Sequence, residues 1–277
     1  MAVYVVAVSG GVDSIVLLHM LQQTTGDKII VAHFDHGIRD DSAKDAEFVG
    51  LLADKYGFPF ETKREELGIR ASEETARNRR YTFLRSVAKK YEGQIVTAHH
   101  GDDAIETIAI NFHRGTGWRG LAVLDSDIVR PLLSYHKAEL IEYALQHNLA
   151  WHEDSSNATT VYLRNRLRLL TKVLQPGVKR ELLALRIQQV ESKRLIEQAI
   201  VELVGSGPQY SRYFFTHIPP VVAIECLRYV TDARLTRPQL ERLLLAIKTA
   251  GITHTYQAGS GLTFNFSTRN FSLSLLK

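Results

Sequence analysis

Ser9-Gly10-Gly11-Val12-Asp13-Ser14 is the stretch of this chain whose residue types and spacing speak most directly of chemistry. Two adjacent glycines let the backbone come close to a ligand, two hydroxyls can donate to it, and a carboxylate sits beside them. An apolar run, Val3 to Val8, stops at this stretch, and Ile15, Leu17, Leu18 and Leu21 follow at helical spacing. The pattern predicts a strand, a tight turn and a helix start. Free N–H groups and the positive dipole end of such a helix favour an anion, so a phosphate is the expected ligand and nucleotide use the expected chemistry. Two common loops are excluded. No Lys lies between Ser9 and Lys28, so the Gly-Lys-Ser/Thr ending of a Walker loop is missing, and so is the third glycine of G-x-G-x-x-G. The plain alternative is a glycine-rich turn with no ligand.

Two further polar clusters end apolar runs without a spacer: His33-Phe34-Asp35-His36-Gly37 after Lys28 to Ala32, and His99-His100-Gly101-Asp102-Asp103 after Gln94 to Ala98. Asp103 and Glu106, three apart on one helical face, suit a shared metal or a cationic substrate. Asp102 reads equally well as a helix cap or first-turn acid. His99 and His100 lack a third and fourth ligand at zinc spacing. Arg114, before Gly-Thr-Gly, is either a cation at a helix C-terminus or a ligand for a carboxylate or phosphate.

The elements that position these residues alternate between strand and helix. Strands are expected over 3–8, 28–34, 58–63, 94–98 and 128–130, and helices over 14–23, 41–56, 72–91, 102–113 and 137–148. Such alternation predicts an α/β fold with a doubly wound, mostly parallel sheet, whose ligands sit beyond the carboxyl ends of the strands. All three clusters then face one crevice. Residues 1–175 form this expected catalytic domain. Pro176-Gly177 breaks the chain, a helical arm runs to about Val204, and Gly205-Ser-Gly-Pro208 is a linker closing the 176–208 segment. Residues 209–277 read as a small α+β C-terminal domain with two helices parted near Leu235 to Pro238 and a terminal hairpin turning at Thr268 to Asn270.

With 277 residues and 45% hydrophobic composition, the chain is long enough for packed cores. One cysteine, Cys226, excludes a disulfide framework and a cysteine-built iron–sulfur or zinc site. Met1 to Val8 lacks a charged leader and no apolar run approaches a membrane span, so a cytoplasmic protein is expected. Charge is uneven: net −6 over residues 1–160 and net +10 over 161–277, within an overall +4. An acidic front half suits metal ions and a cationic small substrate, and a basic back half suits a polyanion. Between Tyr162 and Arg194 nine basic residues face Glu181 and Glu191, and Arg164, Arg168, Lys179, Arg180, Lys193 and Arg194 are candidates to track RNA phosphates.

Ser9 to Ser14 resembles the PP-loop of the ATP pyrophosphatases. More specific stretches follow in order: Asp35-His-Gly-Ile-Arg39, Glu74 to Tyr81, Thr97 to Thr107, Arg114-Gly-Thr-Gly117, Arg130-Pro-Leu-Leu133, Trp151 to Asn157 and Tyr162 to Arg168. Together they resemble the tRNA(Ile)-lysidine synthase family, densely over residues 1–175 and by pattern alone beyond. Asp154-Ser-Ser-Asn157 and the Arg-Asn-Arg run distinguish that family from other PP-loop enzymes.

The resemblance implies a ligase. ATP adenylates the C2 oxygen of the wobble cytidine of the CAU-anticodon tRNA(Ile), and the ε-amine of free L-lysine then displaces AMP, changing codon specificity from AUG to AUA. It assigns Ser9, Gly10, Gly11, Val12, Asp13, Ser14, His33 and Phe34 to ATP, and Asp13 with Asp103 to Mg2+. Asp35, Asp103, Glu106 and Arg114 go to the chemistry and the lysine, with the base among the acids left open. It admits a homodimer and involves no membrane. Larger members carry a further C-terminal domain. The alternatives are a tRNA thiolase, an amide-forming small-molecule synthetase, and an RNA-binding protein without catalysis.

Overall fold

The computed structural model describes residues 1–24, 26–37, 42–68, 72–152, 167, 169–171 and 173–275, which divide into two compact units, Met1–Val190 and Glu191–Lys277. In the first unit, β1 (Val3–Ala7), β2 (Lys28–Asp35), β3 (Phe60–Arg64) and β4 (Gln94–Val96) form a parallel sheet in the order β3-β2-β1-β4. The expected strand over 128–130 shrinks to one parallel bridge, Val96 to Val129. Pro131 follows almost at once and opens a short 3-10 turn, Pro131–Ser134, which leaves no length for a ladder.

Helices cover both faces, as a doubly wound sheet requires. Side chains alternate across each strand. Val6, Ile29, Val31 and Val96 pack with Ile15 and Leu18 of α1 (Val12–Thr24), Val49 of α2 (Ser42–Lys55) and Leu140 of α5 (Lys137–Gln146). Val5, Ile30, Ala32 and Ile95 meet Phe83, Leu84 and Val87 of α3 (Glu73–Tyr91) on the other face. Ser72 caps α3 as its sequence predicts, its hydroxyl accepting from Thr75 N. α4 (Gly101–His113) starts against the Pro131–Ser134 turn, where Gly101 N donates to Tyr135 O at 2.8 Å. A Cβ at Gly101 would stand 3.1 Å from that same carbonyl oxygen, so the close approach needs glycine.

The expected arm is one continuous helix, α6 (Pro176–Val204), and the division between the two units falls within it. In the second unit α7 (Arg212–His217), α8 (Pro220–Val230) and α9 (Arg237–Thr249) lie with an antiparallel sheet ordered β5-β8-β7-β6. The terminal hairpin is present as β7 (Leu262–Phe266) and β8 (Asn270–Leu275), flanked by β5 (Gln209–Ser211) and β6 (Thr255–Gly259). Phe215, Phe264, Phe271, Cys226 and Leu243 fill its core.

Candidate active site

Beyond the carboxyl ends of β1, β2 and β4 lies a cavity of about 450 Å3. Ser9, Gly11, Asp13 and Ser14 line it from the glycine loop, His33, Phe34 and Asp35 from β2, and His99 and Asp103 from the segment after β4. The three sequence clusters therefore share one crevice. Gly10 stands at the loop apex with φ +93, a left-handed backbone that glycine adopts without strain. The loop hydroxyls bond inward: Ser9 N donates to Ser14 Oγ (3.1 Å), and Ser14 Oγ donates to Gly11 O (2.8 Å). Ser14 thus shapes the turn, and Val12 turns its side chain into the core under the sheet.

β2 supplies supports as much as ligands. His33 Nδ1 donates to Val8 O (2.9 Å), which ties the end of β2 to the entry of the loop. Asp35 is buried and accepts from Gly37 N (2.8 Å) and Ser42 Oγ (3.0 Å), with Arg64 at 3.4 Å. Those donors account for both its carboxylate oxygens, so Asp35 braces the β2–α2 connection.

Asp13, in the first turn of α1, and Asp103, in the first turn of α4, both approach His100 Nε2, at 3.9 and 3.6 Å. Asp103 also accepts from His100 N at 2.9 Å. Lys137 Nζ sits 2.7 Å from each carboxylate oxygen of Asp13. Among the described residues no group of three His, Cys, Asp or Glu side chains is placed to hold a metal. Two carboxylates about one imidazole do fit Mg2+, which binds nucleotides through one or two protein carboxylates, phosphate oxygens and water.

A second cavity of about 300 Å3 opens beside His100, lined by Asp102, Glu106, His136, Lys137 and Lys179 among others. Glu106 is buried and faces this cavity rather than the first. Asp102 is a clamp: it accepts from Lys137 N (2.8 Å), Lys179 Nζ (2.8 Å) and His136 Nδ1 (3.3 Å). Burial pushes its carboxyl up, but the hydrogen bonds from Lys179 and Lys137 outweigh this and hold it below the ordinary carboxylate value.

Other expected residues lie elsewhere. Arg114 caps α4 at the exposed C-terminal end, eleven residues and so about 16 Å beyond Asp103 at helical rise, and lines neither cavity. Its sequence position after the helix already fitted a C-terminal cation. Lys179, expected to track RNA, is instead drawn inward by Asp102, while Arg180 is exposed. Arg164 and Arg168, with Asp154-Ser-Ser-Asn157, fall outside the described residues.

The sequence pattern did not mark Lys137, Arg80, Asp45 and His152 as site residues. Arg80, Asp45 and His152 line the first cavity. His99 does too, and there burial, with Arg130, Arg80 and Arg77 nearby, holds its imidazole down to about 3, so it stays neutral. Of these signals two were readable beforehand, the Glu74 to Tyr81 motif, which contains Arg80, and the Trp151 to Asn157 motif, which contains His152.

The model of a PP-loop domain family matches residues 2–174. A tRNA(Ile)-lysidine synthase of Thermotoga maritima is 31% identical over 264 residues, covering 88% of this chain and 64% of that protein. One from Thermus thermophilus is 34% identical over 258 residues, covering 87% and 51%. The chain thus spans less than two thirds of either relative. Among solved structures, the U34-tRNA thiolase NcsA of Methanococcus maripaludis matches with TM-score 0.58 at 16% identity, covering 69% of this chain and 72% of that one, a likeness of fold. A glycine loop between a central parallel strand and its helix, an acid in that helix's first turn and a family match over the whole first sheet agree, and the chain belongs to the PP-loop domain family.

Proposed function

We propose that this chain ligates lysine to C2 of the wobble cytidine of the CAU-anticodon tRNA(Ile), through an adenylated tRNA. The observation that carries the reading is the paired cavity: an anion loop and Asp103 in one chamber, Glu106 in the next, with His100 and the Asp13–Lys137 pair between. The names and extent of the curated relatives support it.

In the first step the C2 oxygen of cytidine attacks the α-phosphorus of ATP, the bond to the β-phosphate oxygen breaks, and pyrophosphate leaves. The loop N–H groups and the N-terminus of α1 hold the departing oxyanions. Mg2+, held by Asp13 and Asp103, would add charge neutralisation there. In the second step the lysine ε-amine attacks C2, the C2–O bond breaks and AMP leaves. The free amine has a pKa of about 10.4, so a carboxylate must take its proton. The ammonium and its proton go either to Glu106, which faces the second chamber, or to Asp103, one helical turn away and facing the first; Asp35 is already bonded on both oxygens. Basic side chains of α6 and the C-terminal unit contact the tRNA. The thiolase alternative finds no chemistry in Cys226, whose thiol is buried and pushed up to about 11.

The deciding experiment measures pyrophosphate release with isoleucine and methionine CAU tRNAs, each with and without lysine. Release with the isoleucine tRNA alone, and lysine incorporation only when lysine is added, is the expected result. Release that depends on a small amine but on no tRNA would replace this reading with a small-molecule synthetase.

A further inference from the structure

The loop after α4 carries charge of one sign. From Thr107 to Leu124 the sequence holds Arg114 and Arg119 and no acid, inside a front half that is acidic overall. Phe112, in the last turn of α4, is 60% exposed, Arg114 is exposed, and Trp118 and Arg119 are half-buried. Neither aromatic ring serves a core. Among the described residues Trp118 and Phe112 join none of the hydrophobic clusters, although Leu121 and Leu124 of the same stretch pack with Val123, Ala104 and Ile108. The guanidinium of Arg119 lies over the Trp118 ring instead, 4.7 Å from its centroid.

Hydrogen bonds close this loop onto the end of α4. Asn111 Nδ2 donates to Gly120 O at 2.9 Å, Thr116 Oγ1 and N donate to Asn111 O at 2.9 and 3.1 Å, and Gly120 N donates to Gly117 O at 2.8 Å. A Cβ on Gly120 would collide with the Thr116 hydroxyl, so the closure needs glycine there. An aromatic ring held in place, with cations beside it and no acid, suits single-stranded nucleic acid: a base stacks on the ring, the cations meet phosphates, and a preformed loop loses little entropy on binding. A paired helix hides its base faces, so the occupant is unpaired.

We infer that Trp118, with Arg114 and Arg119 beside it, is a stacking subsite for an unpaired base of the tRNA anticodon loop other than the wobble cytidine. The inference rests on the tRNA reading above. Arg114 lies about 16 Å beyond Asp103 at helical rise. A stacked strand advances about 3.4 Å per nucleotide, so about five nucleotides span that distance, within reach of one anticodon loop. Arg114 then meets the RNA backbone, away from ATP and lysine.

The test is binding of the CAU-anticodon tRNA(Ile) to the full chain, by filter binding across a salt series and by tryptophan fluorescence. Trp118→Ala should weaken the tRNA about tenfold, the scale of one base–aromatic stack, and leave the salt slope unchanged. Arg114→Gln should instead flatten the slope by about 0.7–0.9. Trp118→Phe keeps a stacking ring, so it should hold affinity within about threefold while losing the quenching that tRNA produces in the parent. An abasic nucleotide at one loop position other than the wobble should reproduce the loss seen in Trp118→Ala, and combining the two should add nothing further. Unchanged tRNA affinity in Trp118→Ala, or undiminished quenching in Trp118→Phe, overturns the inference; unchanged affinity with a shift in sedimentation would make the ring a contact between copies of this chain. Failure of the parent to bind this tRNA at all would bring down the tRNA reading and the inference with it.

Discussion

The main-chain N–H of His152 donates to the carbonyl of Gly10 across 3.0 Å, so the apex of the glycine loop is held by a segment far along the chain. The same residue anchors itself twice more: His152 Nδ1 lies 2.6 Å from Asp45 Oδ1, and its ring stacks on Phe48 with centroids 4.5 Å apart. His152→Pro removes the N–H. It should cost about 1 kcal/mol of stability in urea titration and weaken ATP binding several-fold. His152→Ala keeps the N–H and should weaken binding less. Identical ATP affinity in both variants and the parent would show that the loop keeps its shape unaided.

Asp35 and Glu106 should separate cleanly. Asp35→Ala strands buried donors and a guanidinium, a loss of about 2–4 kcal/mol, and adenylation and lysine transfer should fall together with the melting temperature. Glu106→Gln should leave lysine-independent pyrophosphate release near normal while raising the lysine KM at least tenfold. Steady-state kinetics on both half-reactions decide this, and an unchanged lysine KM in Glu106→Gln would remove that residue from the amine's site.

Salt dependence distinguishes basic residues that meet RNA from those that do not. Arg180 and Arg194 are exposed on α6, and changing each to Gln should flatten the log–log dependence of tRNA affinity on salt by about 0.7–0.9. Lys179→Met should leave the slope unchanged and instead destabilise the first unit, because it leaves Asp102 short of a partner. Filter binding across a salt series, with thermal melts alongside, reads both effects.

His99 predicts a pH effect with a definite sign. Its folded imidazole resists protonation down to about 3, whereas an unfolded histidine takes a proton near 6.5. Between those values the unfolded chain binds more protons, so stability falls as pH falls, by up to about 1.4 kcal/mol per pH unit from this group. His99→Gln should lessen the slope of unfolding free energy between pH 6 and 4 relative to the parent. Parallel slopes would mean that His99 protonates freely in the folded protein.

Much of the sheet was legible because β1, β2 and β4 are short runs rich in Val and Ile next to a helical pattern, and the phosphate turn because two glycines and an acid follow the first strand. Boundaries moved by one or two residues where tertiary hydrogen bonds extend a strand, as at Asp35. The site was legible only in part. Asp35, Asp103 and Glu106 look alike as acids in a sequence, and packing alone decides that the first is saturated, the second faces the loop and the third faces another chamber. Lys137 was invisible for a related reason, since it comes to the loop through a contact more than a hundred residues long-range and sits in no pattern that marks it; His152 lies in the Trp151 to Asn157 motif, but its equally long-range contact with Gly10 is not readable there. Lys179 shows the converse, since a basic run predicts exposure and one buried-side carboxylate reverses it.

The parallel sheet ends on one side at β3, whose sequence is Phe-Glu-Thr-Lys-Arg, and on the other at β4, where the single bridge to Val129 takes Ile95 O and Thr97 N in hydrogen bonds of 2.9 and 3.0 Å. An open strand margin is a template for another chain, and proteins blunt it with charge or cover it. Here each margin is treated differently: charged side chains make one side a poor template, and a strand reduced to one residue occupies the hydrogen-bonding groups of the other. The shortened strand that the sequence overestimated is thus enough to take up the main-chain hydrogen-bonding groups of Ile95 and Thr97 that a neighbouring chain would otherwise use.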